Sequence, residues 1–167
     1  MLPNEPVGPA SEKFFPYLSG ERTPLNDAHI RAGFSGLGQT SDLAKLTQSV
    51  MEGVSFALRD CLEAIRKTDA SPSSLLAIGG GSVSQFWLQT ISNTLNIELE
   101  KPKSGEFGAA LGAARLAISC IIKEPIENIM SKPEIEKKII PDQRYINLYQ
   151  TAYESFKQGH SNLRGLQ

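Results

Sequence analysis

LLAIGGGSVSQFWLQ, residues 75–89, joins an apolar run to three consecutive glycines and then to the start of an amphipathic stretch. Leu75 to Ile78 is short and apolar on both faces, which predicts a strand in the middle of a sheet that helices cover. Phe86, Trp87, Ile91 and Leu95 then return at helical spacing. Gly79, Gly80 and Gly81 lack a Cβ, so the chain can turn sharply there and bring its amides against a ligand. The helix start beyond them offers N–H groups without intrahelical partners and the positive end of a dipole, and the two features together suit a phosphate. A tight turn that holds nothing explains the same residues equally well. The dinucleotide pattern GxGxxG and the P-loop pattern GxxxxGK are both absent. Ser82, Ser84 and Gln85 follow, able either to cap the helix or to reach a ribose or phosphate.

Downstream, NIELE (96–100) reads as an edge strand whose Glu98 and Glu100 face solvent. SGEFGAALGAA (104–114) repeats the glycine-turn-then-helix order, and Gly105, Gly108 and Gly112 either shape a pocket wall or permit tight helix packing. Residues 125–141, broken by three prolines, read as irregular to weakly helical. A last helix is predicted from Arg144 to about Lys157. Upstream, Leu43, Leu46, Val50, Val54, Leu58, Cys61 and Ile65 mark a long helix capped by Ser41 or Asp42. Gly53 inside it makes room for a close neighbour, a helix or a ligand. Glu52 beside it faces solvent or a cleft. FFPYL and RAGFSGL suit short strands or ordered loops. Alternation of strand and helix through the middle predicts a layered α/β domain.

Composition narrows the function. Of 167 residues, 40% are hydrophobic and 21% charged, and the net charge of −1 supplies no positive field for a nucleic acid. No apolar run is long enough for a bilayer, and no signal peptide opens the chain, so a cytoplasmic setting and no membrane partner are expected. Cys61 and Cys120 lie on apolar helix faces as small hydrophobes. His29 and His160 stand far apart in sequence and suggest no metal site, and no GxSxG elbow occurs.

Five segments carry a resemblance: FFPYLSGERTP (14–24), GFSGL (33–37), MEGVSFALRD (51–60), LLAIGGGSVSQFWLQTISNTLNIEL (75–99) and GAALGAARLA (108–117). In this order they resemble the C-terminal domain of the FGGY carbohydrate kinases, most closely the xylulose kinase branch. The resemblance implies an α/β fold of the actin-like ATPase (ribonuclease H-like) kind, the C-terminal half of a two-domain sugar kinase. It places the nucleotide-binding domain at residues 14–158, with 1–13 as linker or cut edge and 159–167 as a polar tail. ATP is then expected at Gly79, Gly80, Gly81, Ser82, Ser84, Gln85, Gly105 and Gly108, with Mg2+ accompanying it. Gly79 stands where glycerol kinase-like members carry an aspartate. The SGERTP loop resembles a segment beside the interdomain cleft.

The expected reaction of the whole enzyme is transfer of a phosphoryl group from ATP to D-xylulose, giving D-xylulose 5-phosphate. The resemblance puts the catalytic aspartate, a phosphate loop and the sugar pocket in an N-terminal domain whose motifs this sequence lacks, so the isolated chain is expected not to phosphorylate sugar. The implied partners are the sugar and that N-terminal kinase domain, and the uncovered cleft face is expected to favour homo-oligomers. Other FGGY kinases, for ribulose, gluconate or glycerol, and a non-catalytic nucleotide-binding or interaction module are the alternatives.

Overall fold

The computed structural model describes residues 6–103, 108–122 and 124–164. Its spine is helix α1, Leu43–Arg66, which opens where the Asp42 side chain accepts the Lys45 amide at 2.8 Å. Strands β1 (Lys13–Phe15) and β2 (Gly33–Ser35) form an antiparallel pair, and β1 crosses α1 at Gly53. A Cβ on Gly53 would stand 2.0 Å from the Phe14 carbonyl oxygen. The neighbour that needs this gap is therefore strand backbone, neither a second helix nor a ligand.

Glu52, expected at solvent or a cleft, is at neither. It is 1% exposed and accepts the Ala10 amide on both carboxylate oxygens, at 3.1 and 3.0 Å, with Gln48 Nε2 at 2.8 Å. Burial pushes its pKa up to about 7, against the opposing pull of these donors. Gln48 also donates to the Gly8 carbonyl, and Glu12 accepts the Ser41 and Ser11 hydroxyls, which hold its carboxyl down at about 2. Residues 8 to 13, within the segment expected above as linker or cut edge, are fastened to α1 and its cap.

Helix α5 runs Ile146–Arg164, well past the expected end at Lys157 and into the segment assigned to a polar tail. The reason is tertiary. At Gly159 a Cβ would lie 2.4 Å from Phe15 Cζ, so the missing side chain seats the Phe15 ring, and His160 Nε2 shares a 2.7 Å hydrogen bond with the Tyr17 hydroxyl. Phe15, Tyr17, Ile30, Phe56, Tyr149 and Phe156 form the first buried cluster, between β1, α1 and α5.

The second layer is a three-stranded sheet in the order β3-β4-β5, built from Ser74–Leu76, Glu98–Pro102 and Ile135–Ile139. β3 runs parallel to β4, and β5 antiparallel to it. Helix α2, Gln85–Leu95, packs between α1 and this sheet, where Leu62, Leu88, Leu95, Ile97, Leu99 and Ile139 are buried. The sequence expectation placed β3 at the centre and β4 at the edge; the structure reverses them. Leu76 is 44% and Ile78 58% exposed, whereas Glu100 in β4 is 7% exposed and held by Lys132 at 2.9 Å and Lys138 at 3.7 Å. Alternating glutamates imitate a solvated strand face because the lysines that pair with them are remote in sequence.

β5 itself lies in the stretch expected to be irregular, its Glu136, Lys137 and Lys138 masking any alternation. Helix α3, Gly108–Ile121, has no buried residue, so Cys120 is exposed rather than packed, and Cys61 donates weakly to the Thr23 carbonyl at 3.4 Å. A one-turn helix, α4 (Ile126–Ile129), follows it. Among the described residues no helix is long and apolar enough to cross a membrane.

Candidate nucleotide site

Beyond β3 the chain passes through Ala77 and Ile78 into Gly79, whose φ of +86° is one that residues with side chains rarely adopt. A single 3-10 turn, Gly80–Val83, comes next, and only then does α2 begin, with Ser84 as its N-cap accepting the Trp87 amide at 3.3 Å. The glycines therefore stand one turn before the helix start instead of forming it. The Ser82 amide and hydroxyl both donate to the Gly79 carbonyl, at 3.0 and 2.7 Å, and the Ser84 amide donates to the Gly81 carbonyl at 3.2 Å. Ser82 and Ser84 thus brace the turn from within.

The three glycines differ in what surrounds them. At Gly79 and Gly80 an added Cβ would meet nothing within 4 Å, so the main chain there borders open space. At Gly81 it would come within 2.8 Å of the Trp87 ring, which packs under the turn while its Nε1 donates to the Met51 carbonyl at 3.1 Å. Gly79 answers to backbone conformation, Gly80 to open approach and Gly81 to the indole. Gln85 is turned toward β5, where its Oε1 accepts from Lys137 Nζ at 3.0 Å.

Gly108, the first residue of α3, reaches the same place: a Cβ on it would lie 3.1 Å from Ile78 Cδ1. The strand end, the glycine turn and the start of α3 therefore converge, although 26 residues lie between Gly81 and Gly108. Gly105 lies outside the described residues. No carboxylate or imidazole occurs from Gly79 to Gln85. Among the described residues no group of three or more His, Cys, Asp or Glu could hold a metal ion.

A second hollow, of about 480 Å³, lies between α1 and α5 and escaped the sequence reading. Asp60 in its wall accepts the Tyr153 hydroxyl at 2.5 Å, burial raises its carboxyl pKa, and Arg59 lies 4.3 Å over the Tyr153 ring while hydrogen bonding to Gln150. These groups are turned on one another, and they tie α1 to α5. Asp60 stands four residues after the buried Phe56, on the same side of α1, and that spacing was the available signal.

The profile of the FGGY family of carbohydrate kinases, C-terminal domain, matches residues 6–120. Xylulose kinase of Escherichia coli K12 is 34% identical over 151 residues, covering 90% of this chain and 31% of that protein. Xylulose kinase of Klebsiella pneumoniae is 35% identical over 164 residues, covering 98% and 33%. Among solved structures, a "xyloylose kinase" from Brucella ovis superposes with a TM-score of 0.88 at 41% identity, over 98% of this chain and 34% of that one. The chain thus spans about a third of the length of the relatives it matches.

Proposed function

This chain belongs to the FGGY family of carbohydrate kinases, in its C-terminal domain, and from that premise we propose that it is the ATP-holding part of a kinase that phosphorylates D-xylulose. The observation that carries the reading is the bare main chain at Gly79 and Gly80, bordering open space at the end of a strand, with Gly108 brought beside it. A nucleotide laid there meets backbone rather than side chains. Gly79 and Gly80 provide the approach, Gly81 over Trp87 sets the turn's position, Ser82 and Ser84 keep its shape, and Gly108 stands on the other side. Gln85, held by Lys137, borders the site.

Phosphoryl transfer depends mainly on alignment and on electrostatic relief of the phosphate charge. In the proposed division of labour this chain holds and orients the nucleotide. Mg2+ accompanying ATP would be held by the nucleotide's phosphates and would offset their negative charge. As the family resemblance implies, the proton of the sugar hydroxyl is taken by a residue of the kinase's other domain, which also binds the sugar. The chain alone accordingly leaves D-xylulose unphosphorylated.

The test is calorimetric titration of the chain with ATP. Wild-type protein binds, and Gly80→Val lowers the affinity at least tenfold with no change in unfolding temperature, because the valine enters open space. Equal ATP affinity in a folded Gly80→Val protein overturns the assignment. Gly81→Val is the poorer probe, since it strikes Trp87 and alters the fold.

A further inference from the structure

The segment that forms the glycine turn and α2, Gly79 to Leu95, contains no lysine or arginine, although the nucleotide proposed for it is an anion. A cation reaches the place from β5. Gln85 opens α2 directly after the turn and its cap Ser84, and its Oε1 accepts from Lys137 Nζ at 3.0 Å, across 52 positions of sequence. Lys137 differs from the lysines around it. Lys101 pairs with Glu136 at 3.2 Å, Lys103 with Glu134 at 2.5 Å, Lys132 with Glu100 at 2.9 Å and Lys138 with Glu98 at 2.7 Å. Among the described residues Lys137 has no carboxylate partner: the residue opposite it on β4 is Lys101, another cation, and the group it does hold is a neutral amide. Its charge therefore stands uncompensated beside the glycine turn.

We infer that Lys137 and Gln85 act as one donor pair that receives a phosphate group of the nucleotide, Lys137 bringing the positive charge that the glycine segment lacks. The inference rests on the kinase reading above and adds which part of the nucleotide is met here and by which residue outside that segment. An ammonium group only donates, so its contact commits the oxygen of the Gln85 amide and leaves the NH2 end, which has no partner among the described residues, for an acceptor. Both groups then offer donors alone, and one of them is charged. A phosphate oxygen only accepts and carries negative charge, whereas base and ribose are neutral and present donors as well as acceptors.

The test is calorimetric titration of the chain with ATP at low and at physiological salt. Lys137→Met raises Kd about threefold or more at low salt, and its affinity then falls less steeply with added NaCl than that of the wild type, because the screened charge is gone. Lys137→Arg, which keeps the charge and the donors, stays near the wild type. Lys138→Met removes the same charge one position along, where Glu98 and Glu100 already offset it, and leaves both affinity and salt dependence unchanged. Gln85→Leu also weakens ATP, and Lys137→Met costs less in that background than in the wild type, as members of one unit do. Lys137 is exposed, so its variants keep the circular dichroism and unfolding temperature of the wild type. Unchanged affinity in Lys137→Met, an equal loss in Lys138→Met, an unaltered salt dependence, or fully additive losses with Gln85→Leu overturns the inference. The two levels separate cleanly: ATP bound equally by wild type and Lys137→Met sinks the donor pair alone, whereas no ATP binding by the wild type sinks the kinase reading and the pair with it.

Discussion

Helix α1 serves two hydrophobic clusters that close to different degrees. Toward β1 and α5, Phe56 joins rings from Phe15, Tyr149 and Phe156, each almost wholly out of water. Toward β3, Leu58 and Ile65 of the same helix remain 43% and 47% exposed, and Leu75, Ala77 and Ile91 only border the buried set. Identical physics acts on both flanks, since burying apolar area stabilises at about 25 cal/mol per Å² wherever it occurs. What differs is the supply of partners: residues 13–35 and 146–164 come back to cover one flank, and no described segment covers the other. The half-built flank is also the one that carries the glycine turn.

Phe156→Ala should have the largest effect, because it empties a fully enclosed site between Phe15 and Phe56. A loss of about 3–5 kcal/mol is expected for such a deletion, read as a shift of the urea midpoint. A much smaller loss would mean that the closed flank is loosely packed and the contrast false.

Next comes pH, through the carboxyl sealed under that flank. The native pKa of Glu52, about 7, lies above its ordinary value of 4.5. A raised carboxyl pKa means that the folded state holds the proton more tightly, so this contribution is complete below about pH 4.5 and is lost as pH rises through 7. It amounts to about 3 kcal/mol. Urea midpoints should therefore fall between pH 5 and pH 8, and Glu52→Gln should flatten the slope. A midpoint that climbs over this range in the wild type and not in Glu52→Gln would reverse the assigned sign.

Leu58→Ala should matter least, costing less than about 1 kcal/mol in the chain alone, since the side chain is already half in water. A loss comparable with that of Phe156→Ala would show that this flank is closed in solution, by a neighbour in this chain or another copy of it.

Much of this was legible in residue order. The period of Leu43 to Ile65 marks α1 to within two residues, because a helix is a local object and its apolar face repeats every three or four positions. The GGG run announces a turn after a strand for the same reason. Reading failed where two distant segments share a surface. Glu98 and Glu100 look like an exposed face until Lys132 and Lys138 are folded onto them. Gly159 looks like the start of a tail until the Phe15 ring is laid against it.

The candidate site divides in the same way. Its glycines were visible as a pattern, but which of the three serves φ, which the indole of Trp87 and which an open approach depends on atoms brought from elsewhere.

By itself, then, the sequence determined the family, the long helix and the glycine turn, all of which are written in short-range spacing and residue type. The tertiary structure alone decided which strand of the sheet lies at an edge, why Gly53 and Glu52 sit where they do, and which face of α1 is left uncovered. Those properties belong to pairs of segments far apart along the chain, and no local periodicity encodes the distance between them.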